Sequence, residues 1–251
     1  MKQLFTLFSL LLLLLSLFLP TWIIAQDAKA IVEEADRKLK GSSSYSEISL
    51  EIIRPSYKRS MKLSAWTLGD DRLFIRINEP VKEKGTVFLR RGKEVWNWIP
   101  SIERSIKLPP SMMSQSWMGS DFTNDDLVKE GSMVKDYEHT LEAEEIVDGH
   151  ACYRIRLTPH EDAAVVWGAV VLWIEKKEKY ILKATYHDED GELMNTMIGS
   201  DARLLGGKTI PTRMEMHPEG KPGNKTILTY SELRFEIGLK EDFFSPQRLG
   251  Q

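Results

Sequence analysis

From Ser46 to Asn78 apolar and polar residues alternate along much of the chain, the period of a strand with one buried face. Segments of strand character then recur. In the first half they are Ser46–Arg54, Met61–Leu68, Arg72–Asn78, Thr86–Arg90, Val95–Ile99 and Ile102–Leu108. In the second half they are Thr140–Val147, Ala151–Thr158, Ala169–Glu175, Ile181–His187, Leu193–Gly199, Lys208–His217 and Lys225–Glu236. The breaks carry turn chemistry: Gly69-Asp70-Asp71, Arg91-Gly92-Lys93 and Pro100-Ser101 early, Asp148-Gly149, Asp190-Gly191 and Gly206-Gly207 late. The last three predict two-residue hairpins, in which the central positions need φ > 0. Connections this short join antiparallel neighbours, because a parallel pair needs a long crossover.

The period changes in two places. Across Asp27–Lys40, Ile31, Ala35 and Leu39 recur every fourth residue with Val32 beside them, which predicts an amphipathic helix capped by Asp27 and stopped by Gly41. Between the two strand series, Pro109-Pro110 ends the first, and Ser111–Val128 predicts one or two short helices in a long connection. Thr123 followed by Asp126 three residues on marks a helix start, with the helix running through Asp125–Lys129. The tail Asp242-Phe243-Phe244 is expected to pack on an end of the domain. Roughly eleven to thirteen antiparallel strands in consecutive hairpins must curl to bury a face. The fold class expected is therefore mainly β, a barrel or half-barrel. An incompletely filled one leaves a cavity, with the N-terminal helix and the central insertion as its natural lids.

The start of the chain has a different character. Met1, Lys2 and Gln3 precede an apolar run from Leu4 to Leu19, Pro20 ends it, and Ala25 offers a small residue for cleavage. This order describes a secretory signal peptide over residues 1–25, leaving 26–251 as one domain; an uncleaved anchor helix over Leu4–Ile24 is the alternative. The only cysteine, Cys152, lies far from the leader, so neither a lipid-attachment cysteine after the apolar run nor an internal disulfide is available. The expected location is an extracytoplasmic compartment, without a lipid anchor.

Charge and motifs narrow the chemistry. The formal charge of −3 becomes −4 when Lys2 leaves with the leader, and no basic stripe with interleaved aromatics occurs, which argues against nucleic acid. The histidines His139, His150, His160, His187 and His217 form no paired metal spacing, and there is no nucleophile elbow or Gly-rich phosphate loop. Two carboxylate groups have the residue types of acid/base sites: Asp121 with Asp125 and Asp126, and His187-Asp188-Glu189-Asp190. The first is explained by a helix start and the second by a hairpin tip. Cys152 reads as a small buried or half-buried residue. The expectation is a protein without catalysis, metal or cofactor.

The apolar surplus is more informative. Trp96 and Trp98 share one face of their strand. In Ala169–Glu175 both faces are apolar, with Val171 and Trp173 on one of them, so both must be covered. Met112, Met113, Trp117, Met118 and Phe122 are either a plug completing the core or a pliable gate over a ligand. There are ten methionines and seven tryptophans in all, and methionine adapts to varied apolar shapes. Trp96, Trp98, Met112, Met113, Trp117, Met118, Phe122 and Trp173 are the candidate cavity and lid residues.

The run W-N-W-I-P-S-I-E-R-S-I-K-L-P-P-S-M-M-S-Q-S-W-M-G-S-D-F-T-N-D-D-L, with Ile210-Pro211-Thr212-Arg213-Met214-Glu215 and the closing Asp242-Phe243-Phe244-Ser245, resembles the bacterial outer membrane lipoprotein-sorting proteins, the LolA-like periplasmic proteins of the LolA/LolB superfamily. Trp117–Leu127 is its most specific part. The resemblance implies a curved, incomplete antiparallel β-barrel with helices over the open side of an apolar, acyl-binding interior. It implies a carrier of lipoprotein or lipid cargo, with an inner-membrane transporter of ABC or RND type and an outer-membrane acceptor as partners. A lipid- or lipoprotein-sensing adaptor beside such a transporter, without transfer activity, is the alternative.

Overall fold

The computed structural model describes residues 27–128 and 133–250. The leader over residues 1–25 and the end of the insertion helix at Lys129 lie outside them. The described chain begins with helix α1, Ala28–Lys40. Asp27 caps it by accepting from the Lys29 N–H (3.0 Å), and Gly41 at φ 61° ends it. Ala28, Ile31, Val32 and Ala35 are buried, so these positions form the packed face of the helix.

Six strands follow: β1 Ser43–Arg54, β2 Tyr57–Leu68, β3 Arg72–Glu79, β4 Val87–Arg91, β5 Glu94–Ile99 and β6 Arg104–Lys107. The insertion holds two single turns of 3-10 helix, Pro110–Met112 and Trp117–Gly119, and helix α2, Asn124–Val128. Seven strands complete the fold: β7 Tyr137–Val147, β8 His150–Pro159, β9 Ala169–Glu175, β10 Ile181–His187, β11 Leu193–Leu205, β12 Lys208–Pro218 and β13 Lys225–Phe235. All join one antiparallel sheet in the order β6-β5-β4-β3-β2-β1-β13-β12-β11-β10-β9-β8-β7. The sheet is a mainly β, incomplete barrel: β6 and β7 are its edges and do not pair. The first and last strands meet in the middle, with Leu50 opposite Leu228 and Ile48 opposite Tyr230.

Two local readings change. Asp148-Gly149 and Gly206-Gly207 are two-residue hairpins with φ > 0 throughout, but Asp190-Gly191 belongs to a longer loop closed by the His187–Leu193 pair. The Asp188 carboxylate accepts from the N–H groups of Asp190 (3.1 Å) and Glu192 (2.9 Å), so the side chain replaces ladder bonds that a tighter turn would have made. The segment begun at Ile102 starts two residues later, because Pro100–Ile102 forms a 3-10 turn ending at Glu103 in the left-handed region (φ 48°).

Burial follows the twofold period. Along β1, Ser44, Ser46, Ile48, Leu50 and Ile52 are buried while Glu47, Ser49 and Glu51 are partly exposed. The main core lies on the inner side of the curve, under α1 and the insertion. A second cluster lies on the outer side of β3 and β4, where Phe74, Val87 and Leu89 meet Phe244 and Leu249 of the C-terminal segment. Cross-strand partners share a face, so the pairs Val87–Trp98 and Leu89–Trp96 put both tryptophans on that outer side, away from Phe88 and Val95.

Candidate functional site

The inner face of the sheet is not filled. A cavity of about 180 Å³ remains between the two halves, walled by Ile48 and Leu50 of β1, Ala65 of β2, Leu172 of β9 and Leu228 of β13. Met197 of β11, Met214 of β12 and Met133 supply thioethers to the wall. Trp117, Phe122 and Leu127 of the insertion face the same space. Polar groups enter at two places: Lys38 and Lys40 with Ser44 and Ser46 where α1 ends, and Asp125, Asp126 and Tyr137 beside α2. Lys40 is buried against Asp36 at 2.5 Å, and Lys38 lies 3.5 Å from Glu178.

The stretch read as most specific is the most heavily wired part of the roof. The Trp117 backbone N–H bonds the Phe122 carbonyl (2.8 Å), closing a tight loop whose bend needs Met118 at φ 52° and Gly119 at φ 81°. Arg59 Nη1 donates to the Met118 carbonyl (2.8 Å), and Arg54 Nη2 donates to that of Gly119 (3.1 Å). Asp121 ties the loop to the centre of the sheet. Its Oδ2 accepts from Arg54 Nη1 (2.9 Å) and the Thr226 hydroxyl (2.7 Å), and its N–H bonds Thr226 Oγ1 (2.9 Å). Asn124 Nδ2 reaches the Met112 carbonyl (2.8 Å).

Thr123 and Asp126 form a reciprocal capping box: the Asp126 N–H bonds Thr123 Oγ1 (3.0 Å) and the Thr123 N–H bonds Asp126 Oδ2 (2.8 Å). The other Asp126 oxygen accepts from Trp167 Nε1 (2.7 Å), so the roof is also fastened to the β8–β9 loop. Gly168 fixes that loop, since a Cβ there would stand 2.3 Å from the Asp188 carbonyl oxygen. Desolvation holds the Asp126 carboxyl above its ordinary range, against the opposing bonds from Trp167 and Thr123. Burial, with Asp125 and Asp126 nearby, pushes the Tyr137 hydroxyl well up.

The candidate residues divide accordingly. Trp117 and Phe122 are buried and line the cavity. Met113 is buried in the inner core, Met118 packs on it, and Met112 is half-buried, all outside the lining. Trp96 and Trp98 are a correction: they lie on the outer face against the C-terminal segment. Trp173 is another, half-buried beside Cys152 and Leu182, with Lys183 4.6 Å above its ring and Glu145 accepting its indole N–H. In both strands the alternation was right, but both faces are apolar, so the period alone does not tell which looks inward. Met133, Met197, Met214 and Trp167 were missed. The first three lacked an aromatic neighbourhood to flag them; Trp167 lies in a loop.

Both acid/base candidates have structural partners. Asp121 is bound by Arg54 and Thr226, while Asp188 caps its loop and His187 meets the Gly191 carbonyl and Thr185 Oγ1. Among the described residues no group of three or more His, Cys, Asp or Glu side chains is placed to hold a metal. Burial pushes the Cys152 thiol up to about 11, helped by Glu175 and Glu145.

A family model described as "uncharacterized protein" matches residues 69–251. Among solved structures, a DUF1329 family protein from Desulfovibrio piger is 25% identical over 89% of this chain and 99% of its own, with a TM-score of 0.80. A domain classed as an outer membrane lipoprotein-sorting protein from Vibrio parahaemolyticus is 22% identical over 90% of this chain and 100% of its own, with a TM-score of 0.79. A LolA superfamily protein from Nitrosomonas europaea is 24% identical over 89% of this chain and 99% of its own, with a TM-score of 0.77. No curated protein matches.

Proposed function

We propose, from the premise that this chain belongs to the DUF1329 proteins, a LolA-like family, that it is a periplasmic carrier of lipoprotein or lipid. The acyl chain occupies the space between the two halves of the sheet, under Trp117, Phe122 and Leu127. The observation that carries this reading is the incomplete filling of an otherwise well-packed inner face: side chains from β1, β2, β9 and β13 converge on a void. A void without an occupant forfeits dispersion contacts along its whole lining.

The physical task fits the wall. Taking an acyl chain from a membrane forgoes about 0.8 kcal/mol per CH₂, so a sixteen-carbon chain needs roughly 12 kcal/mol of replacement burial. An apolar cavity supplies that environment, and the three methionines in the wall let it reshape as cargo enters and leaves. The roof is held by polar bonds, which can exchange with water as it lifts. Export under the leader, delivery from an ABC or RND transporter and hand-over to an outer-membrane acceptor are parts of the same proposal.

The test is organic extraction and mass spectrometry of the purified protein, followed by incubation of the loaded protein with acceptor vesicles. Co-purifying acyl lipid or acylated peptide that passes to the vesicles supports a carrier. Cargo that is retained overturns transfer, and a protein consistently empty and unable to take up lipid overturns the reading altogether.

A further inference from the structure

Trp117 carries a polar feature that the cavity's apolar character does not explain. Its side chain is fully buried, faces the cavity and packs on Phe88 with ring centroids 5.2 Å apart. Its indole N–H, a donor with no other option, finds no acceptor among the described residues. Buried donors are rarely left so, because losing water without gaining a partner costs free energy. Trp167 makes the contrast within the same cavity, since its N–H is taken by Asp126 at 2.7 Å. Phenylalanine at position 117 would supply the same contact with Phe88 and leave nothing unpaired.

We infer that the Trp117 indole N–H, closed off in this structure, is completed by the occupant as the roof shifts to admit it: it donates to the carbonyl oxygen that joins an acyl chain to its parent molecule, an ester or amide. This deepens the carrier reading and rests on it. The ligand class is a long-chain acyl group in neutral carbonyl linkage, as distinct from a plain alkyl chain or a free fatty acid. A fatty-acid carboxylate could also accept from Trp117, but Asp125 and Asp126 of the same insertion line the cavity and oppose a further negative charge. The lysines in the lining already face acidic partners, Lys40 with Asp36 and Lys38 with Glu178. Trp117 thereby sets depth as well as class: it fixes the carbonyl under the roof while the chain runs along the wall of β1 and β13.

The test uses two matched lipids that differ in the carbonyl alone, 1-monopalmitoylglycerol and its ether analogue 1-O-hexadecylglycerol, with palmitate as a third probe. Affinities are measured on the full mature chain, delipidated, by displacement of a fluorescent apolar dye. The wild type should bind the ester about 3- to 10-fold more tightly than the ether, the range of one neutral hydrogen bond, and palmitate more weakly than the ester. In Trp117→Phe the ratio of ester to ether affinity should collapse towards one, whatever the change in overall affinity for the two lipids. In ¹⁵N-labelled wild type, the indole N–H resonance of Trp117 should move with the ester and not with the ether, which tests the contact without any variant. Equal binding of ester and ether by the wild type, an unmoved resonance or an ester preference retained in Trp117→Phe would overturn this inference and leave the carrier reading standing. Failure of the wild type to bind either glycerolipid would overturn both.

Discussion

The sheet has two apolar faces over β2–β5, and they end differently. On the outer face an aromatic ladder runs from Tyr45 to Trp66 (5.2 Å) and Phe74 (5.7 Å), and Phe243 completes it at 5.6 Å from Trp66 and 5.4 Å from Phe74. Phe244 behind it is fully buried. Here the chain supplies its own cover, by side-chain packing. On the inner face Ala65 and Leu50 look into a void, and the cover is a loop held by Arg54, Arg59, Thr226 and Trp167 through polar bonds. A face meant to stay shut is closed by apolar interlock, which is lost only with the fold. The inner cover buries apolar side chains as well, Met113, Trp117 and Phe122 among them, but it adds a set of hydrogen bonds that water can replace one at a time.

That contrast can be broken at several points. Phe244→Ala should cost about 3–5 kcal/mol, read as a fall in the urea midpoint, because a fully buried ring leaves a cavity behind. An equal loss of lipid uptake at temperatures where this variant remains folded would show that the faces are not independent. Asp121→Ala should cost less, about 1.5–3 kcal/mol for a charge-assisted bond. Unlike Phe244→Ala, it should accelerate entry of an apolar dye, since it unfastens the roof; stopped-flow fluorescence reads this. Val87→Phe on the filled outer face should cost about 1–3 kcal/mol by overpacking. Ala65→Phe on the inner face should cost under about 1 kcal/mol, because the ring enters open space, yet abolish lipid uptake. Similar costs for the two would contradict an unfilled inner face.

The smallest effect is on pH dependence. The Asp126 carboxyl is held above the 3.8 of an unperturbed aspartate by desolvation, so the native state keeps this proton more firmly than the unfolded chain. Its contribution to stability is therefore fully present below about pH 4 and fades as pH rises through the raised value. Relative to Asp126→Asn, the wild type should lose stability with rising pH across that interval, measured by urea midpoints at a series of pH values. Parallel curves would remove Asp126 as the group responsible.

Much of the fold was legible in the sequence, for a physical reason. Helix α1 announced itself through Ile31, Ala35 and an Asp27 cap, and the roof helix through Thr123 and Asp126, since caps and periods are local. The strands were legible from alternation and turn residues alone. Which face of β5 or β9 looks inward was not, because that depends on what covers it: for Trp96 the cover is the C-terminal segment containing Phe243 and Phe244. The roof's fastenings were equally hidden, since Asp121 and Thr226 stand 105 positions apart and neither is unusual in its own neighbourhood. Trp117 was legible as a residue of interest, but its unpaired N–H is a property of everything around it.

The meeting of β1 with β13 at the centre of the sheet has a consequence for assembly. Every other strand pair joins sequence neighbours, so each half can zip up hairpin by hairpin, whereas this seam joins the two ends of the described chain. Contacts so distant in sequence close late, because their loop entropy must be met before they are rewarded. The seam also crosses the wall of the cavity, through Ile48, Leu50, Leu228 and Tyr230. A chain cut before Lys225 would hold two unjoined sheets and no enclosure. The cavity thus comes into being only with the last strand, and a half-made chain has no enclosed space at all.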